Sequence, residues 1–378
     1  MVKYIIIFSL LYSSTYCIND KYTNFGLKLF KNIINDAVNK NVIFSPFGVS
    51  MATSMLQLLT SENTRNELVT SMNYDIDHDN DKNIINSKYI FNDIFVDKSI
   101  YINNDISKKF FNKFKSTLKI VDFIKPNDIV LINKYIEDKT NKNIMNIIDT
   151  DSINHLTKMM LLNTMYFKSE WKDKFNPNNT FRGIFHKENG QDVTVQMMRK
   201  NFNNINVGKF KVPSIEKFEY TVIELPYKDK NISMYMVIPN DKKCSIYTIS
   251  KYLSVNLINF WNKHMKKDFY NIIIPKFKYE YEINFKNLFN KVGIYDIFDS
   301  DKANFKPMTD DKIFINKALQ RTKIIIDETG TEASAVTYID AILKSVYEMI
   351  IFDRPFLFLI INKSNNAVYF SGIVNEPN

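Results

Sequence analysis

The chain has 378 residues, 45% hydrophobic and 14% aromatic, so it can bury a large core and is not a disordered polymer. Eight glycines and ten prolines, thinly spread, exclude collagen-like segments, internal repeats and long flexible linkers. The net charge of +9 favours polyanions. The lysines are scattered, however, and the densest group, Lys108, Lys109, Lys113, Lys115 and Lys119, reads as the solvated face of a helix; no nucleic-acid motif accompanies it.

Lys3, the apolar run Tyr4–Leu11 and then Ser13-Ser14-Thr15 have the layout of a secretory signal, too short to span a membrane as a stable helix. Residues 1–17 are expected to be removed, leaving 18–378 as one domain and Cys244 as the only thiol, with no internal disulfide. Three sequons, at Asn178, Asn231 and Asn362, lie in polar stretches that read as turns and suit a secreted glycoprotein.

Phe25, Leu27, Leu29, Phe30, Ile33 and Ile34 form the apolar face of a first helix. Asn41-Val-Ile-Phe-Ser45-Pro46 supplies a short strand, a Ser at a helix N-cap and a Pro at the first helical position; the helix it opens, Phe47–Leu59, is apolar nearly all round and therefore central. A further helix runs from Asn63 to Met72, and Tyr74–Ser87 is a polar loop. Tyr89–Phe95 reads as a strand, Ile106–Leu118 and Leu131–Ile144 as helices, and Lys158–Phe167 as a buried strand, although periodicity alone does not separate so short an apolar run from a helix. Strands and turns follow, with Tyr220–Pro226 and Ile232–Pro239 flanking Lys228-Asp-Lys-Asn231. Ser245–Lys263 looks helical, and Asn271–Ile283, Ile313–Asp327, Phe356–Ile361 and Val368–Ile373 complete a strand-rich C-terminal half. Helices first and strands after, without a linker between, make a single α+β domain.

No constellation for chemistry is visible. His78, His155, His186 and His264 show no metal-ligand spacing, and the nucleophile-elbow, phosphate-loop and dinucleotide motifs are missing. Nothing near Cys244 in sequence would activate it, and Asp310-Asp311 reads as a turn. The chain is expected to be no enzyme and to need no cofactor.

One window combines unusual properties. In Asp327–Ser345, strand parity puts Thr331, Ala333, Ala335, Thr337, Ile339, Ala341 and Leu343 on one face and Glu332, Ser334, Val336, Tyr338 and Asp340 on the other. It is a ready amphipathic strand whose inward residues are mostly small and whose far end, Lys344-Ser345, suits a trypsin-type protease.

Together with its flanks this window resembles the serpin family. Asn41-Val-Ile-Phe-Ser-Pro46 is similar to the opening of the family's helix B, and Leu162-Asn163-Thr-Met-Tyr-Phe-Lys168 with Trp171 and Phe175 to its strand 3A. Val195-Gln-Met-Met198, Glu224-Leu-Pro-Tyr227 with Met234, and Ile274-Pro-Lys-Phe277 follow in family order. Then come Gly330-Thr-Glu-Ala333 and Asp353-Arg-Pro-Phe-Leu-Phe358. The signal, the short second-helix region and the composition most resemble secreted poxvirus serpins.

The resemblance implies a large mixed sheet A, two smaller sheets, about eight to nine helices and an exposed reactive-centre loop on a monomer. It implies a hinge at Glu328, Gly330, Thr331, Glu332, Ala333, Ser334 and Ala335, a scissile bond at Lys344–Ser345, and a sheet-opening shutter that includes Ser45, Asn163 and Gln320. Gln320 replaces the family's usual histidine, and Gly48 stands where a serine is common. The implied function is suicide inhibition of trypsin-like serine proteases of the plasmin, thrombin or plasminogen-activator kind, in extracellular space or at an infected-cell surface. A non-inhibitory binding or carrier role, and contact with anionic glycans or a cell-surface partner, remain open. Between Leu68 and Tyr89 there is little room for a full helix D, which argues against glycan activation through that helix.

Overall fold

The computed structural model describes residues 18–78, 89–149, 153–154, 156–212, 215, 218–330 and 348–377. Its first half is built on α1 (Ile18–Asp36), β1 (Val42–Phe44), α2 (Pro46–Leu59) and α3 (Glu62–Met72). The α2 helix begins where Ser45 Oγ accepts from the Gly48 amide and Pro46 occupies the first turn, and all but one of its residues are buried. The next elements are β2 (Ile90–Asp97), α4 (Asn104–Phe114), β3 (Lys119–Val121), α5 (Pro126–Lys139) and β4 (Met159–Phe167). Then come β5 (Phe181–His186), β6 (Asp192–Lys211), β7 (Glu219–Pro226), β8 (Ile232–Pro239), α6 (Ile246–Ser250), α7 (Val255–His264), β9 (Lys266–Pro275), β10 (Phe277–Asn284) and α8 (Phe285–Asn290). The chain closes through β11 (Lys317–Ile326), β12 (Glu348–Ile351), β13 (Phe356–Asn362) and β14 (Ala367–Val374).

Several boundaries differ from those read off the sequence. The α4 helix stops at Phe114 because Lys115 turns left-handed (φ 52°) and donates back to Phe111 O. The α5 helix starts at Pro126, five residues before the first apolar position of the expected span, and is over by Thr140. The expected Ser245–Lys263 helix is two, since Ser254 accepts from the Leu257 amide and restarts the turn. The expected Asn271–Ile283 strand is also two, β9 ending at Pro275 and β10 beginning after Lys276.

One sheet is mixed and five-stranded, in the order β10-β11-β4-β2-β3. Its centre is a parallel pair, β11 with β4, running in register from Lys317↔Met160 to Ile324↔Phe167, while both flanking pairs, β10–β11 and β2–β4, are antiparallel. All nine residues of β4 are buried, as expected of a strand covered on both faces. The two smaller sheets run into one another through the long β6, which pairs with β9 and β7 and shifts register between Phe202 and Ile205. The result is a nine-stranded path, β1-β14-β13-β8-β7-β6-β9-β12, with β5 attached to β6. Two cores follow: the main one lies among α1, α2 and both sheets, and a second packs Ile129, Ile132 and Ile136 of α5 over Met160, Leu162 and Leu319.

Candidate functional site

The parallel seam between β4 and β11 carries a row of buried amides. Gln320 and Asn163 stand directly opposite across the seam, and Asn163 stands opposite Asn92 on β2. Gln320 Nε2 donates to Asn163 Oδ1 at 2.6 Å, and Asn163 Nδ2 donates to Asn92 Oδ1 at 2.7 Å. The row is tied to the start of α2, since Gln320 Oε1 accepts from the Ser45 amide at 2.8 Å and its Nε2 also reaches Ser45 O at 3.2 Å. Ser45, Asn163 and Gln320, far apart in sequence, are thus one hydrogen-bonded cluster. Gly48 is explained by the same cluster: a Cβ there would lie 2.7 Å from Ser45 Oγ and 2.9 Å from both Asn163 amide atoms, so a side chain would displace the row. Asn92 was missed in the sequence reading, although a lone amide inside the apolar run Tyr89–Phe95 was the available signal.

At the end of the seam β11 turns over. Asp327 and Gly330 bond to each other in both directions, N to O, at 3.0 and 3.2 Å. Gly330 also bridges Glu170, beyond the end of β4, so it already pairs antiparallel with the extensions of both seam strands. Only glycine fits: φ is +129°, and a Cβ would come within 2.4 Å of Ser169 O and 2.5 Å of Trp171 N. Asp327 Oδ1 accepts from the Thr329 amide and hydroxyl, and Trp171 Nε1 donates to Asp327 O. Phe175 N and Trp171 N donate to the carbonyls of Glu328 and Thr329. The Glu328 carboxylate is nearly buried and paired with Lys276 at 2.9 Å, and it accepts from Thr180 Oγ1 at 2.7 Å. Burial alone would raise its pKa, but the bonds from Lys276 and Thr180 outweigh that and hold it below the ordinary carboxylate value. Lys276 lay inside a quoted motif, yet nothing in the sequence named its partner.

The remaining hinge positions Thr331, Glu332, Ala333, Ser334 and Ala335, and the bond Lys344–Ser345, lie outside the described residues, as do residues 1–17. Asn178 and Asn231 are exposed. Asn362 differs from expectation: it ends β13 rather than sitting in a turn, and its amide is engaged with Tyr369 Oη, Ser364 N and Ser364 Oγ. Among the described residues no group of three or more His, Cys, Asp and Glu could hold a metal. Burial and the neighbouring Asp241 push the Cys244 thiol up, away from the reactive thiolate.

A mixed sheet with a parallel central seam, and a segment hairpinned over the end of that seam, is the architecture of serpins. The comparisons agree: the profile of the family "Serpin (serine protease inhibitor)" matches residues 20–377, and the chain belongs to that family. Plasminogen activator inhibitor 1 of Neovison vison is 31% identical over 370 residues, covering 94% of this chain and 92% of the relative. Serine proteinase inhibitor 1 of Myxoma virus (strain Lausanne) is 30% identical over 354 residues, covering 93% and 90%. Mammalian and viral relatives therefore stand at nearly equal distance. The crystal structure of native protease nexin-1 with heparin superposes with a TM-score of 0.86 at 29% identity, covering 95% of this chain and 99% of that one.

Proposed function

We propose that the chain is a secreted suicide inhibitor of trypsin-like serine proteases, cleaved at Lys344–Ser345 and trapping its target by inserting the loop between β4 and β11. The observation that carries this reading is Gly330, already paired antiparallel to both sides of the seam. Extending that pairing, one residue back along each strand for every residue forward along the loop, gives the same alignment from either side. Ala333 falls between Ile324 and Phe167, Ala335 between Thr322 and Met165, and Thr337 between Gln320 and Asn163, and each of these pairs is a register pair of the closed seam. Thr331, Ala333, Ala335 and Thr337 then share the face of Gln320 and Asn163, where small or neutral side chains are needed. Glu332 and Asp340 fall on the other face, beside Lys168 and Lys317. Insertion would replace one parallel ladder by two antiparallel ones, which are slightly more stable per residue.

In the reaction the protease's serine attacks the Lys344 carbonyl, the amine of Ser345 leaves, and an ester joins Lys344 to the enzyme. Fourteen inserted residues, Thr331–Lys344, would then carry the enzyme roughly 45 Å at about 3.3 Å each. Lys344 suits a primary pocket with a buried Asp, and the relative named for inhibiting plasminogen activators supports that arm of the plasmin-, thrombin- or plasminogen-activator-like set. The myxoma relative supports a viral source acting on host proteases, and the heparin-bound relative supports an anionic glycan as an additional partner.

Mixing the chain with a panel of trypsin-like proteases should give an SDS-stable complex with at least one. Lys344→Ala should abolish it, and Thr331→Arg should leave cleavage intact but remove trapping. Clean loop cleavage with active protease left over would instead leave a substrate-like or carrier serpin.

A further inference from the structure

The chain re-enters the fold at β12, whose first residue, Glu348, lies four residues after Lys344. Four residues span at most about 14 Å, so a protease holding Lys344 in its cleft stands over β12 and its neighbour β9. Among the described residues β12 pairs only with β9, in parallel, from Glu348↔Tyr270 to Ile351↔Ile273. The loop therefore arrives at the end of β9 that carries Lys266 and Lys267. That corner is apolar and charged, β9 carrying two exposed cations there, Lys266 and Lys267, to one exposed carboxylate, Asp268. Phe269 is 54% exposed and Met349 49% exposed. They share one face of the sheet with Lys267, since Met349 stands opposite Asn271, two residues beyond Phe269, whereas Lys266 lies at the very end of the strand on the face of Asp268. Lys209 and Lys211 beside them are paired with Glu348 and Glu219. Lys266 and Lys267 are exposed and form no ion pair with the described residues.

We propose that this corner is a second docking surface for the target protease. Phe269 and Met349 take an apolar contact, and Lys266 and Lys267 meet an acidic surface segment beside the protease's cleft. The proposal rests on the inhibitor reading, because Lys344 is what brings a protease here. It supplies what a single lysine cannot. Every trypsin-like enzyme accepts Lys344, so the choice among them has to come from contacts outside the primary pocket. Cations on the approach path raise the association rate by 10-fold or more at low salt and lose that advantage as salt is added.

The test compares the intact chain with a Lys266→Glu/Lys267→Glu double variant and with Met349→Glu. Association rates are measured against the whole panel at low and moderate salt. Docking without chemistry is read separately, by equilibrium binding of proteases whose catalytic serine is replaced by alanine. The double variant should bind and react about 10-fold more slowly with the preferred protease at low salt, with the gap closing as salt rises. Its partition between trapping and cleavage should be unchanged. Met349→Glu should weaken docking at every salt concentration. Equal docking by wild type and both variants overturns the surface, and so does a double variant that loses only heparin affinity, which would assign the two lysines to a glycan. A chain that docks through Lys266 and Lys267 yet never traps keeps the surface and loses the inhibitor reading.

Discussion

Each sheet buries a polar centre, and the two centres are built from opposite chemistry. In the nine-stranded path the centre is charged. Glu224 on β7 is 3% exposed and accepts from Ser233 Oγ at 2.7 Å, Asn206 Nδ2 at 2.6 Å and Lys363 Nζ at 2.6 Å. Burial would raise its pKa, but the bonds from Lys363, Asn206 and Ser233 outweigh that and keep it below the ordinary carboxylate value. These bonds fasten β6, β7, β8 and the turn after β13 together. In the five-stranded sheet the centre is the neutral row Gln320–Asn163–Asn92. A neutral buried bond costs about 1–3 kcal/mol to leave unmade, whereas breaking a buried ion pair costs about 3–5 kcal/mol. The five-stranded sheet also buries a charge, Asp93 on β2 paired with Lys139 of α5, but that pair lies off the β4–β11 seam; the seam that the proposed insertion would part is crossed by the neutral Gln320–Asn163 bond.

The comparison breaks most visibly at Glu224. Glu224→Ala strands Lys363 and two donors, and should lower unfolding stability by about 3 kcal/mol, the low end of the range because Lys363 is 39% exposed. Urea titration checks this, and the ratio of trapped to cleaved product should not move. A variant that kept its stability but trapped poorly would show that the charged centre also belongs to the opening mechanism. Gln320→Ala should act the other way round. It leaves Asn163 Oδ1 and the Ser45 amide without partners, a loss of about 1–3 kcal/mol. Because that bond spans the seam, the loss should appear as faster spontaneous decay of inhibitory activity into a loop-inserted, heat-resistant form without cleavage. Decay no faster than wild type would mean that the row does not gate the seam.

Much of this was legible in the sequence. Ser45-Pro46 announced α2, and the apolar run at Met159–Phe167 marked a buried element whose length and setting made it β4, while the alternation read in Asp327–Ser345 lies, beyond Gly330, outside the described residues. The helix and strand breaks at Ser254 and Lys276 were hidden because apolar residues continue through them, so hydropathy could not show that hydrogen bonding stops there. The merging of the two small sheets was invisible for a related reason. β6 is exposed and buried by turns along its length, without the continuous apolar signal that marks β4. Ser45, Asn163 and Gln320 were singled out through the family resemblance, but the contacts of the amide row depend on strand neighbours 71 and 157 residues apart, which one sequence does not pair. The Glu328–Lys276 ion pair was unreadable on the same ground, being 52 residues apart and held by an end-of-strand turn.

That ion pair gives the smallest and most local prediction. Glu328 titrates below its ordinary value in the folded chain, so its contribution is fully present above the unfolded carboxylate pKa of about 4.3 and is lost as pH falls through the lower folded value. Glu170, which bridges Gly330, is likewise held low by Lys228 and Lys174 and fails in the same direction. The turn at Asp327–Gly330 should therefore loosen on the acid side before the sheets do. Amide exchange at Phe175 and Trp171, whose N–H groups donate to the Glu328 and Thr329 carbonyls, reads this turn directly and excludes the buried Glu224 centre from the signal. Protection at both amides should hold above the ordinary carboxylate range and fall as pH drops through the lowered values of the two carboxylates. In Glu328→Gln, which cannot titrate but can still accept from Thr180, protection should start lower and the acid step should shrink, leaving the part due to Glu170. An acid step of unchanged size in that variant would remove Glu328 from the anchor. The turn would then be held by Gly330, Asp327 and the bonds from Trp171 and Phe175, with Glu170 as its titrating group.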